Sequence, residues 1–414
     1  MTALNLDRIR AEFPALAGGF VFLDNAGGSQ VLARVADRVR DYLLTTSVQL
    51  GASYGHSQLA GERVLQARRA VAELINAPSD EEVVIGPATT AMVMRLTQAL
   101  RPQIAPGDEI IVTNTDHEAN IGGWVRLAAD TGAVIKVWPI DRESLQLELQ
   151  DLQALLGPRT KWVAMTLASN VLGTVNPVQD VVRLAHGVGA RVCVDAVAYA
   201  PHRLVDVQAL GVDVLVLSLY KLFGPHQAVL WGRRELLASL ASLNHYFIGM
   251  DDVPYKLQPG SVNYELSYGC LGIHDYLCAV GTQLGKGLDN TGTPRQLMQA
   301  AFDAFAEHED ALAERLLAWL RDARGVRIIG LPSTAGGQRL PTISFVVEGR
   351  SSEEIVTRMD AHGIGIRFGD FYARRLIEAL DLAPYGGVVR VSIAHYNTMA
   401  EIDRLIEGLA EIMG

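Results

Sequence analysis

Between residues 80 and 232, seven short β-rich runs alternate with amphipathic stretches: EEVVIG, DEIIVTN, AVIKVWPI, TKWVAMTL, ARVCVD, VDVLVLS and QAVLWG. Spacings of about 20 to 30 residues leave room for one crossover helix between neighbours, and the runs are almost continuously apolar, as strands buried on both faces should be. The pattern predicts an α/β fold with a mainly parallel seven-stranded sheet, and places active-site residues at the carboxyl ends of its strands. After residue 286 the pattern changes to a long helix around HEDALAERLLAWLRDA, strands at PTISFVV and VVRVSIAH, a helix opening at Ser351 with Glu354 three residues on, and a last helix from Thr398 with Glu401. This reads as a smaller α+β domain, with both helix starts carrying a capping-box pattern. The expected division is an N-terminal segment 1–20 packed with the small domain, a large domain 21–285 and a small domain 286–414. The stretch 248–269 between the two main parts is longer than a usual loop, and such loops are often functional.

Charge and cysteine content exclude several classes of function. With 46 acidic against 36 basic residues, the net charge of -10 offers no electrostatic basis for binding nucleic acid or an anionic membrane. Cys193, Cys270 and Cys278 form no C-x-x-C pair, which argues against a disulfide framework or a metal site. The N-terminus has no long apolar core, and no apolar run of about eighteen residues follows, so a cytoplasmic protein acting on a small molecule is expected.

Only five lysines occur, at 136, 161, 221, 256 and 286. Lys221 alone directly follows an apolar strand, in VLVLSLYKLFGP, where partial desolvation would favour the neutral amine that attacks carbonyl groups. By itself it could equally be a surface lysine at a strand end. Asp195 closes the preceding strand, so one crossover places both side chains on the same sheet edge. A buried aspartate there could hold a pyridine nitrogen protonated, or simply cap a helix. Thr89 and Thr90 open a helix after another strand, a setting suited to phosphate and equally to plain capping. His117 follows a further strand and could lie against a flat ring or be structural. No Walker A or G-x-G-x-x-G motif is present.

The ordered set of Thr89-Thr90, D-H-E-A-N from 116, A-S-N-V-L-G-T from 168, V-D-A from 194 and S-L-Y-K-L-F-G-P from 218 resembles the class V aminotransferases, in particular their cysteine desulfurase and selenocysteine lyase branch. The similarity runs from LDNAGG near residue 23 to RVSIAHYNT near 390. It implies a fold-type I, pyridoxal 5'-phosphate (PLP) dependent enzyme, usually a homodimer. Lys221 would be the Schiff-base lysine, Asp195 the pyridine partner and His117 the ring-stacking imidazole. Asn170 would lie near the ring hydroxyl, and Thr89, Thr90 and Ser218 at the phosphate. Arg390 and Arg367 would hold a substrate carboxylate, and Ser261 would reach the phosphate of the partner subunit.

The sequence also departs from that branch. Tyr372 stands where the desulfurases carry the sulfur-accepting cysteine, Tyr220 replaces the histidine before the lysine, and Ala198 replaces a glutamine. A family H-R-G reads Leu50, Gly51, Ala52. Chemistry through an external aldimine and α-proton abstraction is expected, with C-S lyase activity by β-elimination without persulfide as the first reading. Transamination and epimerisation are the alternatives, and a non-catalytic PLP-binding protein is a further one. The retained pair of Arg390 and Lys221 argues against the last.

Overall fold

The computed structural model describes residues 4–284 and 292–413. All seven runs form one sheet in the order Val83–Gly86, Ala228–Gly232, Val214–Ser218, Arg191–Asp195, Thr160–Thr166, Glu109–Thr113, Val134–Trp138. Neighbours from Val214–Ser218 to Val134–Trp138 pair in parallel, and Ala228–Gly232 alone runs against both of its neighbours. Successive residues feed two different cores, because side chains alternate across a strand. Val214 and Val216 face one apolar cluster while Leu215 and Leu217 face the other.

One strand departs from the expected burial on both faces. Val134–Trp138 lies at the sheet edge, with Val134 47% and Val137 45% exposed. Lys136 on this strand pairs with Glu109 of its only neighbour at 2.7 Å, a charged side chain of the kind that protects an open edge.

The C-terminal part builds a four-stranded antiparallel sheet, in the order Arg367–Gly369, Val388–Ser392, Thr342–Val347, Val326–Ile329. The short strand Val21–Phe22 pairs in parallel with Ile364–Gly365, so the chain touches this unit before entering the large one. Phe13 packs edge-on against Phe223 and Tyr276 of the large unit and also against His395, while Arg10 donates to the Tyr396 carbonyl. The expected boundary at 285/286 lies outside the described residues, as does Lys286. Beyond it, the helix Pro294–Asp322 buries Phe302 and Phe305 in the large core and Leu312 and Leu316 in the small one.

Two local expectations need correction. The stretch 248–269 is not loop throughout, because the helix Tyr264–Leu284 already begins within it. Asn263 accepts the Leu266 N–H on its side chain and so satisfies a free donor of the first turn. At the other start, Ser351 accepts from Glu353 N, but Glu354 turns to Arg350 and Arg358 instead of closing the box. The box at Thr398 is complete, with Glu401 accepting from Thr398 N and donating its own N–H to Thr398 Oγ1. No helix among the described residues is long and apolar enough to cross a membrane.

The helix Tyr264–Leu284 packs close to its neighbour through Gly281, where a Cβ would stand 2.1 Å from the Leu297 carbonyl oxygen. Gly281→Ala is therefore expected to lower stability by about 1–3 kcal/mol. The check is a fall in the urea midpoint at unchanged slope; an unchanged midpoint would contradict the contact.

Candidate active site

A pocket opens where the parallel strands end. Its wall contains Thr89, Thr90, His117, Asn170, Asp195, Ser218 and Lys221, so seven of the residues singled out from the sequence converge there. Thr89 Oγ1 and Ser218 Oγ lie 2.7 Å apart, one from a helix start and one from a strand end. The cap residue of the helix Thr89–Leu100, Ala88, has no side chain to satisfy the first amides. Free N–H groups and two hydroxyls thus meet at the positive end of a helix dipole, a donor set suited to phosphate.

Lys221 sits in the turn after Val214–Ser218 and is buried. Burial first, then the Arg390 charge, lower its pKa to about 8 against the attraction of Asp195 and Asp24. Asp195 is also buried; loss of solvent raises it to about 6, while the Val197 N–H at 2.8 Å and Lys221 pull the other way. His117 accepts the Ala119 N–H on Nδ1 at 3.0 Å, so its neutral tautomer carries the proton on Nε2. Burial, Lys221 and Arg390 push it down to about 4, which keeps the ring neutral at physiological pH.

The remaining predicted residues stand apart from the pocket wall. Arg390 is buried, with its guanidinium 3.7 Å from the Phe371 ring centroid. Its Nη2 donates to Asp24 Oδ1 at 2.7 Å, its Nη1 to the Asn170 carbonyl at 3.2 Å, and its Nε has no partner among the described residues. Arg367 faces Arg390 across the strand pair, is largely exposed, and lies 3.7 Å from Asp24 Oδ2. Ser261 lines a separate cleft.

Sequence reasoning gave no role to two acids. Asp24, in the quoted LDNAGG, is the counter-ion of the Arg390 that Phe371 covers. Asp116 is buried directly before His117, accepts from Thr113 Oγ1 at 2.6 Å and Asn120 Nδ2 at 2.7 Å, and is raised to about 7 chiefly by burial. The signals that could have found them differ: Asp116 directly precedes the candidate His117, and Asp24 is the acid that ends the apolar run VFL.

The departures from the desulfurase pattern also take definite positions. Tyr220 lines the pocket and stacks on His226, with centroids 4.8 Å apart. Ala198 leaves its part of the wall small. Tyr372 is 69% exposed at the rim, its ring 5.2 Å from that of His117, and its carbonyl accepts the Glu118 N–H. No cysteine lines the pocket among the described residues. Cys193 and Cys270 are buried, with thiols pushed up by desolvation, and Cys278 is partly buried on the helix Tyr264–Leu284.

The α/β fold, with a desolvated lysine and a buried aspartate at adjacent strand ends, is that of a PLP-dependent enzyme of fold-type I, a class to which the family match assigns the chain. The chain belongs to the aminotransferase class-V family, whose model matches residues 21–283 and 293–405. It is 40% identical to the aminotransferase-like protein FGM3 of Gibberella zeae, over 100% of this chain and 99% of that one. It is 32% identical to a cysteine desulfurase of Dickeya dadantii, over 98% and 96%. Among solved structures, the cysteine desulfurase CsdA of Escherichia coli matches with a TM-score of 0.84 and 28% identity, covering 99% of both chains.

The raised carboxyl of Asp195 has a consequence for the apoprotein. With a folded pKa of about 6 and a reference of 3.8, the folded state binds more protons between those values, so this group's contribution to stability is full below about 4 and is lost as pH rises to 6. Asp195→Asn should therefore leave apoprotein stability unchanged at pH 4 and raise it by up to about 3 kcal/mol at pH 7. Chemical denaturation at the two pH values checks this, and an equal effect at both would refute it.

Proposed function

We propose that the pocket holds PLP. Lys221 would carry it through its amine, Asp195 would face the ring nitrogen, His117 the ring face and Asn170 the ring hydroxyl. Thr89, Thr90 and Ser218 would take the phosphate. The donor set fits the group: hydroxyls and free amides at one end, and at the other a buried carboxylate with only one oxygen hydrogen-bonded among the described residues. When bound, PLP supplies an electron sink for a bond broken at the substrate α-carbon.

The residues of this chain supply the rest. Lys221, lowered toward physiological pH, can take a proton from the α-carbon and return one nearby. Arg390 can receive a substrate carboxylate on its unpartnered Nε edge once Phe371 gives way, and Arg367 adds positive charge beside it. This would fix the orientation of the bond to be broken.

For the reaction itself we favour elimination of a β-substituent, a cysteine desulfurase-like C-S lyase activity without persulfide. The observation that carries this reading is the exposed Tyr372 at the rim of a pocket whose wall contains no cysteine among the described residues. Transamination is the second reading, favoured by the relative in Gibberella zeae described as aminotransferase-like. We further propose a homodimer in which Ser261 meets the partner's phosphate. Three unpaired thiols suit a reducing cytoplasmic setting.

Borohydride reduction of the PLP-loaded protein should fix the pyridoxyl group on Lys221. Recovery of the label on another lysine, or failure of PLP to load, refutes the cofactor assignment.

Given cysteine, the enzyme should release sulfide, ammonia and pyruvate, and alanine replacement of Cys193, Cys270 and Cys278 singly should leave turnover within about twofold, since two of the thiols are buried and none of the three lines the pocket. Alanine as product, dependent on one of these thiols, would establish persulfide chemistry instead. Conversion that requires a keto-acid acceptor would establish transamination.

A further inference from the structure

His117 stands in the pocket wall on a single tether from its own segment: Nδ1 accepts the Ala119 N–H, and Nε2 has no hydrogen-bond partner among the described residues. A ring held at one atom can still tilt about that bond, so its plane depends on what packs against it. The packing comes from the small unit. The Tyr372 ring lies 5.2 Å from the imidazole, centroid to centroid, with the planes inclined by 33°, within the range of favourable aromatic pairs. Tyr372 is not part of the pocket wall, so its ring bears on the imidazole from outside.

The backbone that carries this ring is tied to the pocket on both sides. Two successive carbonyls of the small unit accept from the large one: that of Phe371 from Asn170 Nδ2 at 3.0 Å, and that of Tyr372 from the Glu118 N–H at 2.7 Å. Arg375 adds its Nε to Glu118 Oε2 at 3.1 Å, so the residue directly after His117 is gripped by main chain and side chain together. Asp370 completes the turn by accepting the Tyr372 N–H at 2.9 Å. Both Phe371 and Tyr372 have positive φ, a conformation that costs a bulky residue energy and glycine none. All four bonds to this turn use groups that a glycine at 372 would also allow. The turn therefore has no need of a ring at this position, and the only aromatic contact of that ring among the described residues is His117.

We propose that Tyr372 is a positioning residue whose ring fixes the plane of the His117 imidazole, and through it the seat of a flat cofactor ring in the pocket. The second step rests on the PLP reading above; the first rests on this chain's own contacts.

Two measurements on the full-length protein test this: the Kd for PLP, and the NMR order parameter of the His117 imidazole in histidine-labelled protein without PLP. Loss of one aromatic contact should raise the Kd about three- to tenfold in Tyr372→Ala and equally in Tyr372→Gly. The order parameter should fall in both, while Tyr372→Phe stays close to the parent protein in both measurements. In a His117→Ala background, Tyr372→Ala should add less than about twofold, because the effect passes through the imidazole. Recovery of affinity in Tyr372→Gly would assign the effect to backbone strain, and a loss in Tyr372→Phe equal to that in Tyr372→Ala would assign it to the hydroxyl. A full effect in the His117→Ala background would place it elsewhere in the pocket. Each of these overturns the proposal, as does a Kd within twofold of the parent in Tyr372→Ala. If the parent protein takes up no PLP, the cofactor reading fails separately, and the imidazole still decides the positioning role: an order parameter unchanged in Tyr372→Ala refutes it, and one that falls there and is restored in Tyr372→Phe upholds it.

Discussion

Burial of the Lys221 amine behind the carboxyl ends of the central strands is the constraint to which the rest of the site answers. A cation in that position is costly unless opposite charges face it; Asp195 and Asp24 do so, while the Arg390 charge works against them. The same desolvation that lowers the lysine raises Asp195 and Asp116 and, with the Lys221 and Arg390 charges added, keeps His117 neutral. These shifts arise from one cause, a low-dielectric pocket at the end of a sheet covered on both faces. The sheet is what holds the groups close enough to perturb one another.

The two units of the protein meet at this pocket. The large unit provides its wall and floor, and the small one forms a cover beside it, with Phe371 over Arg390 and the Phe371 carbonyl accepting from Asn170 Nδ2 at 3.0 Å. Ser344 ties the small sheet to the same segment by donating to the Val171 carbonyl at 2.6 Å. The helix Pro294–Asp322 runs through both cores, so movement of the cover relative to the floor must also be accommodated along that helix.

The segment around Phe371 and Tyr372 has its own geometry. Phe371 and Tyr372 have φ values of +52° and +59°, rare for bulky residues and here consecutive. The resulting turn sends one ring inward onto Arg390 and leaves the other at the rim. Aromatic surface and a backbone hydrogen bond from the Glu118 N–H to the Tyr372 carbonyl fix this turn beside the pocket. Inside the pocket, the Tyr220 phenol is held by stacking on His226.

Much of this was legible in the sequence because it is local. Seven apolar runs became seven strands, and Lys221, Asp195 and Ser218 lie at the strand ends that the alternation marked. The long helix and the box at Thr398 followed from periodicity and spacing of a few residues. What the sequence left open depends on partners far along the chain. Asp24 meets Arg390 across 366 positions, and only the fold shows that this arginine carries an internal counter-ion and an aromatic cover. Likewise, Val134–Trp138 is as apolar as its neighbours in sequence, but the strand order puts it at the edge and exposes it. Residues 264–269 became helix because the Asn263 side chain caps them. Patterning determined which segments are strands and helices and which residues end them; the tertiary structure decided which charges share a pocket, since electrostatic coupling depends on distance through space and on desolvation rather than on position along the chain.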